Sequence, residues 1–266
     1  MTIDTITAVV LAGSRPGADP LAQAAGVPLK ALMPIAGRPM IDHVARVLTS
    51  HPRIGRVVLM AQQPEALAAT AQTQWLAQHP DIILHASGAG ISQSLLDWAE
   101  ASPQALPALV TTADNVLLDH RMIDAFLAGV GEADIAAAMV ERAVLRAAYP
   151  QSRRTWLKFR GGAWSGANLF WFGGPNAKRA LQKWREIEHD RKKGWKIVRA
   201  FGPTLLLGAA LRLVSVHQAI ARAGRALGVN ARIVPMPIAE ACIDADKPDD
   251  VVLIDRILAG RSGEGA

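Results

Sequence analysis

Between residues 7 and 140 short apolar runs alternate with amphipathic stretches, and this rhythm constrains the fold more than any other feature of the chain. The runs at 7–11, 56–61, 82–85, 108–112 and 135–140 are rich in Val, Ile, Leu and Ala and have the length of buried strands. The intervening stretches at 40–49, 64–78, 92–99 and 120–130 space their apolar residues as one helical face. Strand, helix, strand in repetition predicts βαβ units. The expected fold is therefore α/β, a three-layer Rossmann-like arrangement with a mostly parallel central sheet and helices on both faces.

After Val140 the rhythm breaks. Residues 160–173 read as a hairpin or edge-strand region, 175–193 as a helix with proline at its start, and 204–227 as one or two further helices. A strand at 231–235 and a closing helix at 249–258 follow. No repeat or low-complexity linker divides the 266 residues, and half of them are apolar, enough for a sizeable core, so one domain is expected. The single cysteine, Cys242, excludes a disulfide framework and a cysteine-based zinc site within one chain. The opening "MTIDTITAVVLAG" has an acidic residue and no basic residue before its apolar run, so it reads as a first strand and not a signal peptide. The apolar stretch at 201–216 contains Arg212 and is shorter than the ~20 residues a membrane span needs. A soluble, cytoplasmic protein is expected.

The net charge of +6 is unevenly distributed. Residues 151–200 hold thirteen Lys and Arg against three Asp and Glu, a segment at +10 that leaves −4 for the remainder. Such asymmetry suits a phosphorylated substrate, an anionic membrane or simply a solvated face. Nucleic acid is not expected, because no recognition motif accompanies the charge.

Three motifs carry chemistry. "VVLAGSRPG" (Val9 to Gly17) runs from a strand into a glycine-broken loop, and Lys30 follows in "VPLKALMPIAGRPM". In open α/β sheets ligands bind beyond the carboxyl ends of strands, where glycine lets backbone N–H groups approach phosphate. The loop is neither a P-loop nor a dinucleotide fingerprint, and a tight turn explains the same residues. Asp114 in "ALVTTADNVLL" puts a carboxylate at the end of a buried strand, while Asp119 is the better cap for the next helix. In "CIDADKPDDVVLID", capping and the helix dipole account for Asp249 and Asp250 but not for Asp244 and Asp246, which share one face of an extended segment.

Together these motifs resemble GT-A-type nucleotidyltransferases, in the branch related to molybdenum-cofactor guanylyltransferase and the sugar-phosphate nucleotidylyltransferases. The resemblance implies an enzyme that transfers a nucleoside monophosphate from an NTP, with CTP or GTP as donor, to a phosphate-bearing acceptor, using Mg²⁺ and releasing pyrophosphate. It implies a nucleotide-binding half at 1–140 and an acceptor-binding half at 141–266. The backbone at Leu11, Ala12, Gly13 and Ser14 would hold the nucleotide, Arg15 its phosphates and Lys30 the α-phosphate region, while Asp114 and Asp246 would bind the metal. No basic residue lies between Arg15 and Lys30, and position 246 is Asp where many relatives carry Asn.

Two further stretches extend the resemblance. Gly88, Gly90 and Ser94 in "HASGAGISQSLLDWAE" stand where relatives read the base, with Ser94 opening a helix; an ordinary glycine loop and cap explains them equally. In "WSGANLFWF" Gly166 and Asn168 are acceptor-binding candidates, and Arg153, Arg154, Lys158 and Arg160 are candidates for the acceptor's phosphate. Alternatively Lys192, Lys193 and Lys196 around Trp195 would rest on an anionic membrane. Two other readings stay open: a GT-A glycosyltransferase, although "TTADNV" lacks the first aspartate of an Asp-x-Asp motif, and a non-catalytic nucleotide-binding module.

Overall fold

The computed structural model describes residues 5–14, 17, 19–88, 90–102, 105–188 and 211–263. In chain order the elements are β1 (Ile6–Leu11), α1 (Pro20–Ala24), β2 (Pro34–Ile35), β3 (Arg38–Pro39), α2 (Met40–Ser50), β4 (Ile54–Ala61), α3 (Trp75–Gln78) and β5 (Ile82–Ala86). There follow α4 (Ile91–Ala101), β6 (Ala108–Thr112), α5 (His120–Val130), β7 (Ile135–Glu141), α6 (Arg142–Ala148), β8 (Leu157–Phe159) and β9 (Gly162–Phe172). The last are α7 (Pro175–Glu188), α8 (Val216–Leu227), β10 (Ala231–Pro235) and α9 (Pro248–Gly263). The mainly parallel sheet with flanking helices that the alternation predicts is present. Two compact units interleave along the sequence, the first comprising residues 1–87, 109–123 and 243–266, the second 88–108 and 124–242.

In the first unit the strands run in the order β5-β4-β1-β6, with β1 parallel to β4 and β4 parallel to β5. Ile6 to Val10 of β1 and Val57 to Ala61 of β4 are buried without interruption. A parallel strand covered on both faces reads as a near-continuous apolar run, which is why these runs, broken only by Thr7, do not alternate. At the carboxyl ends Ala12 N–H donates to Met60 O at 2.9 Å, and Ala113 N–H donates to Leu11 O at 3.0 Å. The loops leaving β1 and β6 thus begin side by side. Asp119 caps α5 by accepting from Met122 N–H at 2.9 Å, as its position suggests.

The second unit pairs β10 with β7 in parallel, and β7 and β8 each antiparallel to β9. Burial alternates along β9, as expected of an antiparallel strand. The hairpin expected at 160–173 is β8–β9, turned at Arg160-Gly161 with Gly161 at φ +86°. The strand is not an edge, because β7 and β8 occupy its two sides.

The stretch 64–78 is not one helix. A 3-10 turn at Pro64–Ala68 and the short α3 are separated by Thr70 and Thr73, whose hydroxyls bond each other at 2.7 Å, the Thr73 hydroxyl also bonding the Thr70 backbone. Threonines that offer the chain such bonds compete with the helical ladder. Within 204–227 the described helix is α8, closed by a Ser215/Gln218 capping box at its start and Gly228 at φ +74° at its end.

Candidate active site

Lys30 opens a 3-10 turn, Lys30–Leu32, and the buried side chains of Ala31, Leu32 and Met33 anchor that turn in the first unit. Its ammonium lies 2.8 Å from Asp114 Oδ2 and 2.9 Å from Asp246 Oδ1. Asp114 leaves the end of β6, where its other oxygen accepts from Thr112 Oγ1 at 2.5 Å. Asp246 precedes α9, and the buried Ala245 beside it donates its N–H to Asp114 O at 3.1 Å. A strand-end loop and a C-terminal motif are thereby tied to one cation. The other carboxylate of the extended pair, Asp244, is half-buried two residues before Asp246. Asp250 instead closes the start of α9 by accepting from Lys247 N–H at 3.1 Å.

Burial lowers the pKa of the Lys30 ammonium, but the Asp114 charge and the hydrogen bonds and charge from both carboxylates outweigh it, and the net shift is upward from 10.5. Lys30 is therefore a permanent cation at neutral pH. The carboxyl side chains of Asp114 and Asp246 are 18% and 55% exposed, so one is sheltered and the other faces solvent. Two carboxylates that share one ammonium also fit Mg²⁺, a hard cation that takes one or two carboxylates and leaves its other positions to water and substrate phosphates. Among the described residues no group of three or more His, Cys, Asp or Glu completes an all-protein cage.

The loop after β1 has a partner that the sequence does not announce. Gln62, one residue past β4, accepts from Ser14 N–H through Oε1 and donates from Nε2 to Ser14 O, both at 3.0 Å. A Cβ on Gly13 would stand 2.9 Å from Gln62 Oε1, so glycine is what lets the carboxamide lie against the loop. The only available signal was positional: Gln62 follows the strand paired with β1, at its carboxyl end. Ala12 is buried and Leu11 and Ser14 are half-buried. Arg15 lies outside the described residues.

The remaining candidates belong to the second unit. Helix α4 begins at Ile91, three residues before Ser94, with Gly90 as its cap. Ser94 is buried in the first turn, accepting from Gly88 N–H at 2.9 Å and donating to Gly90 O at 2.8 Å, so its hydroxyl closes its own loop. Gly166 is exposed and Asn168 half-buried on β9. Arg153, Lys158 and Arg160 are exposed and Arg154 is half-buried. Lys192, Lys193, Trp195 and Lys196 lie outside the described residues. Among the described residues no helix is long and apolar enough to cross a membrane.

A family model described as MobA-like NTP transferase domain matches residues 8–205. No curated protein matches the sequence. Among solved structures, a hypothetical transferase from Thermus thermophilus is similar at 28% identity and a TM-score of 0.75, over 93% of this chain and 99% of that one. CMP:2-keto-3-deoxy-manno-octonic acid synthetase complexed with CTP is similar at 14% identity and a TM-score of 0.61, over 97% and 100% of the two chains. The 4-diphosphocytidyl-2C-methyl-D-erythritol synthase from Anaerococcus prevotii matches at 9% identity and a TM-score of 0.60, over 96% of each chain. At these identities the last two bear on the fold alone.

Proposed function

The chain belongs to the MobA-like NTP transferase family, and from that premise we propose that it transfers a nucleoside monophosphate from CTP or GTP to a phosphate-bearing acceptor, with Mg²⁺ bound and pyrophosphate released. The observation that carries this reading is the Lys30 ammonium held between Asp114 and Asp246.

Nucleotidyl transfer asks a protein for alignment and for positive charge where the phosphate oxygens gain negative charge. Lys30 supplies a fixed cation, since its raised pKa keeps it protonated. The loop backbone around Gly13 meets the triphosphate, with Ala12 N–H committed to Met60 O, Ser14 held by Gln62 and Arg15 adding charge. Asp114 and Asp246 hold the magnesium ion, which supplies further positive charge to the triphosphate when bound. Gly88, Gly90 and Ser94 take the base, and Gly166, Asn168, Arg153, Arg154 and Lys158 take the acceptor. The acceptor's phosphate is ionised at neutral pH and acts as its own nucleophile, so no side chain has to remove a proton.

The test is pyrophosphate release from each of the four NTPs with Mg²⁺ against sugar phosphates, polyol phosphates and molybdopterin. Release that requires one acceptor and disappears in Asp114→Ala and Lys30→Ala is the expected result. Tight NTP binding with no release for any pair would replace this reading with a non-catalytic nucleotide-binding module.

A further inference from the structure

The second unit contains an open pocket of about 560 Å³, lined among others by Glu141, Arg142, Arg146, Lys158, Phe159 and Arg212. Its size falls in the range of about 300–1,000 Å³ that small-molecule sites occupy. Four of these residues are cations and one is an acid. Among the described residues none of the four cations forms an ion pair. Arg142 and Arg146 stand four residues apart on α6, a spacing that puts like charges on one helix face and is destabilising without a counterion. Lys158 joins them from β8.

Arg212 comes from another part of the chain. Its backbone is left-handed at φ +57°, a conformation that costs a residue with a Cβ energy. The segment is held in place by Arg160 N–H donating to Val214 O at 3.0 Å, which sets it against the β8–β9 turn. A concave wall of like charge also focuses its field, so an anion is drawn inward and not merely along the surface. Phe159 gives the pocket an apolar side, and Ala143 and Ala163 keep that side open with small side chains.

We propose that this pocket binds a phosphate-bearing small molecule, with its phosphate among Arg142, Arg146, Lys158 and Arg212 and its organic body against Phe159. Three arginines supply the forked donors that match phosphate oxygens. The pocket shares no residue with the Lys30, Asp114 and Asp246 cluster, and the proposal stands without the transferase reading; Lys158 is the one acceptor candidate it includes. The volume exceeds that of a bare phosphate and leaves room for an organic body beside Phe159.

Calorimetric titration of the full chain in EDTA, with ribose 5-phosphate in one arm and inorganic phosphate in the other, tests this directly. Saturable ribose 5-phosphate binding is expected, weakened about tenfold or more in Arg142→Gln/Arg146→Gln and in Arg212→Ala, and unchanged in Lys30→Ala. Both arginines of α6 are exposed, so the double variant should keep the parent's melting temperature, and that measurement accompanies the titration. Wild-type binding in the double variant, loss in Lys30→Ala instead, or no saturable binding would overturn the site. Equal affinity for the two probes would overturn the contact with Phe159.

Discussion

The Lys30 ammonium lies 2.9 Å from Asp246, a residue 216 positions away in the chain, and the same nitrogen also bonds Asp114. One cation therefore lies between two carboxylates that would otherwise repel each other and offsets one of their two charges, so it competes with a metal ion for them. Lys30→Met should lower turnover in pyrophosphate release by about 10²–10³, the effect of losing one fixed charge at a developing oxyanion. The same variant should bind Mn²⁺ more tightly than the parent when no nucleotide is present, measured by electron paramagnetic resonance. Unchanged Mn²⁺ affinity would mean that Lys30 does not compete for the carboxylates.

Thr112 positions one of those carboxylates through its 2.5 Å bond to Asp114 Oδ1. Partners of metal-binding side chains typically cost 10–100-fold in affinity when removed, so Thr112→Val should raise the Mg²⁺ concentration needed for half-maximal activity by about that factor. Thr112→Ser should restore it. A Val variant with the parent's Mg²⁺ requirement would reduce Thr112 to packing.

Lys30, Asp114 and Asp246 could be grouped from sequence because the motifs that carry them resemble one family's, and the structure brings the three together. Gln62 and Thr112 could not be, because their importance lies in whom they meet. Gln62 reaches Ser14 across 48 residues, and only the parallel pairing of β1 with β4 brings the two together. The helix expected at 64–78 failed for a local reason, the Thr70 and Thr73 hydroxyls, which apolar spacing does not register. Ser94 was assigned to a helix start by its residue type, yet the helix starts at Ile91 and the serine turns back on Gly88.

The Gly13 and Gln62 contact can be tested without touching a charge. Gly13→Ala places a methyl 2.9 Å from Gln62 Oε1, and a flexible carboxamide will move aside, giving up both bonds to Ser14. The fold should survive while NTP binding weakens by about 5–10-fold, the value of roughly one net hydrogen bond. Gln62→Ala should weaken it by a similar amount, and the double variant should add little to either single change. Equilibrium titration with each NTP reads all three.

Asp42 makes a purely structural prediction in the same unit. It is 2% exposed and accepts from Trp75 Nε1 at 2.6 Å and Arg46 Nε at 2.8 Å, so Asp42→Ala leaves the indole N–H of the half-buried Trp75 without its acceptor. Urea unfolding should show a loss of about 2–3 kcal/mol. Arg46→Ala should cost less, since that guanidinium is half exposed and also rests over the Trp75 ring at 4.6 Å.

The pH dependence of stability follows from Lys30. Burial works against its charge, the Asp114 and Asp246 interactions work more strongly for it, and its folded pKa ends above 10.5. A group whose pKa is higher folded than unfolded stabilises the fold fully below its unfolded pKa and loses that contribution as pH rises through its folded one. The stability gap between the parent and Lys30→Met, read by urea unfolding, should therefore stay level from about pH 7 to about pH 10 and narrow only beyond that. Narrowing that began near neutral pH would mean that burial prevails over the two carboxylates, and Lys30 would then be no fixed cation for a triphosphate.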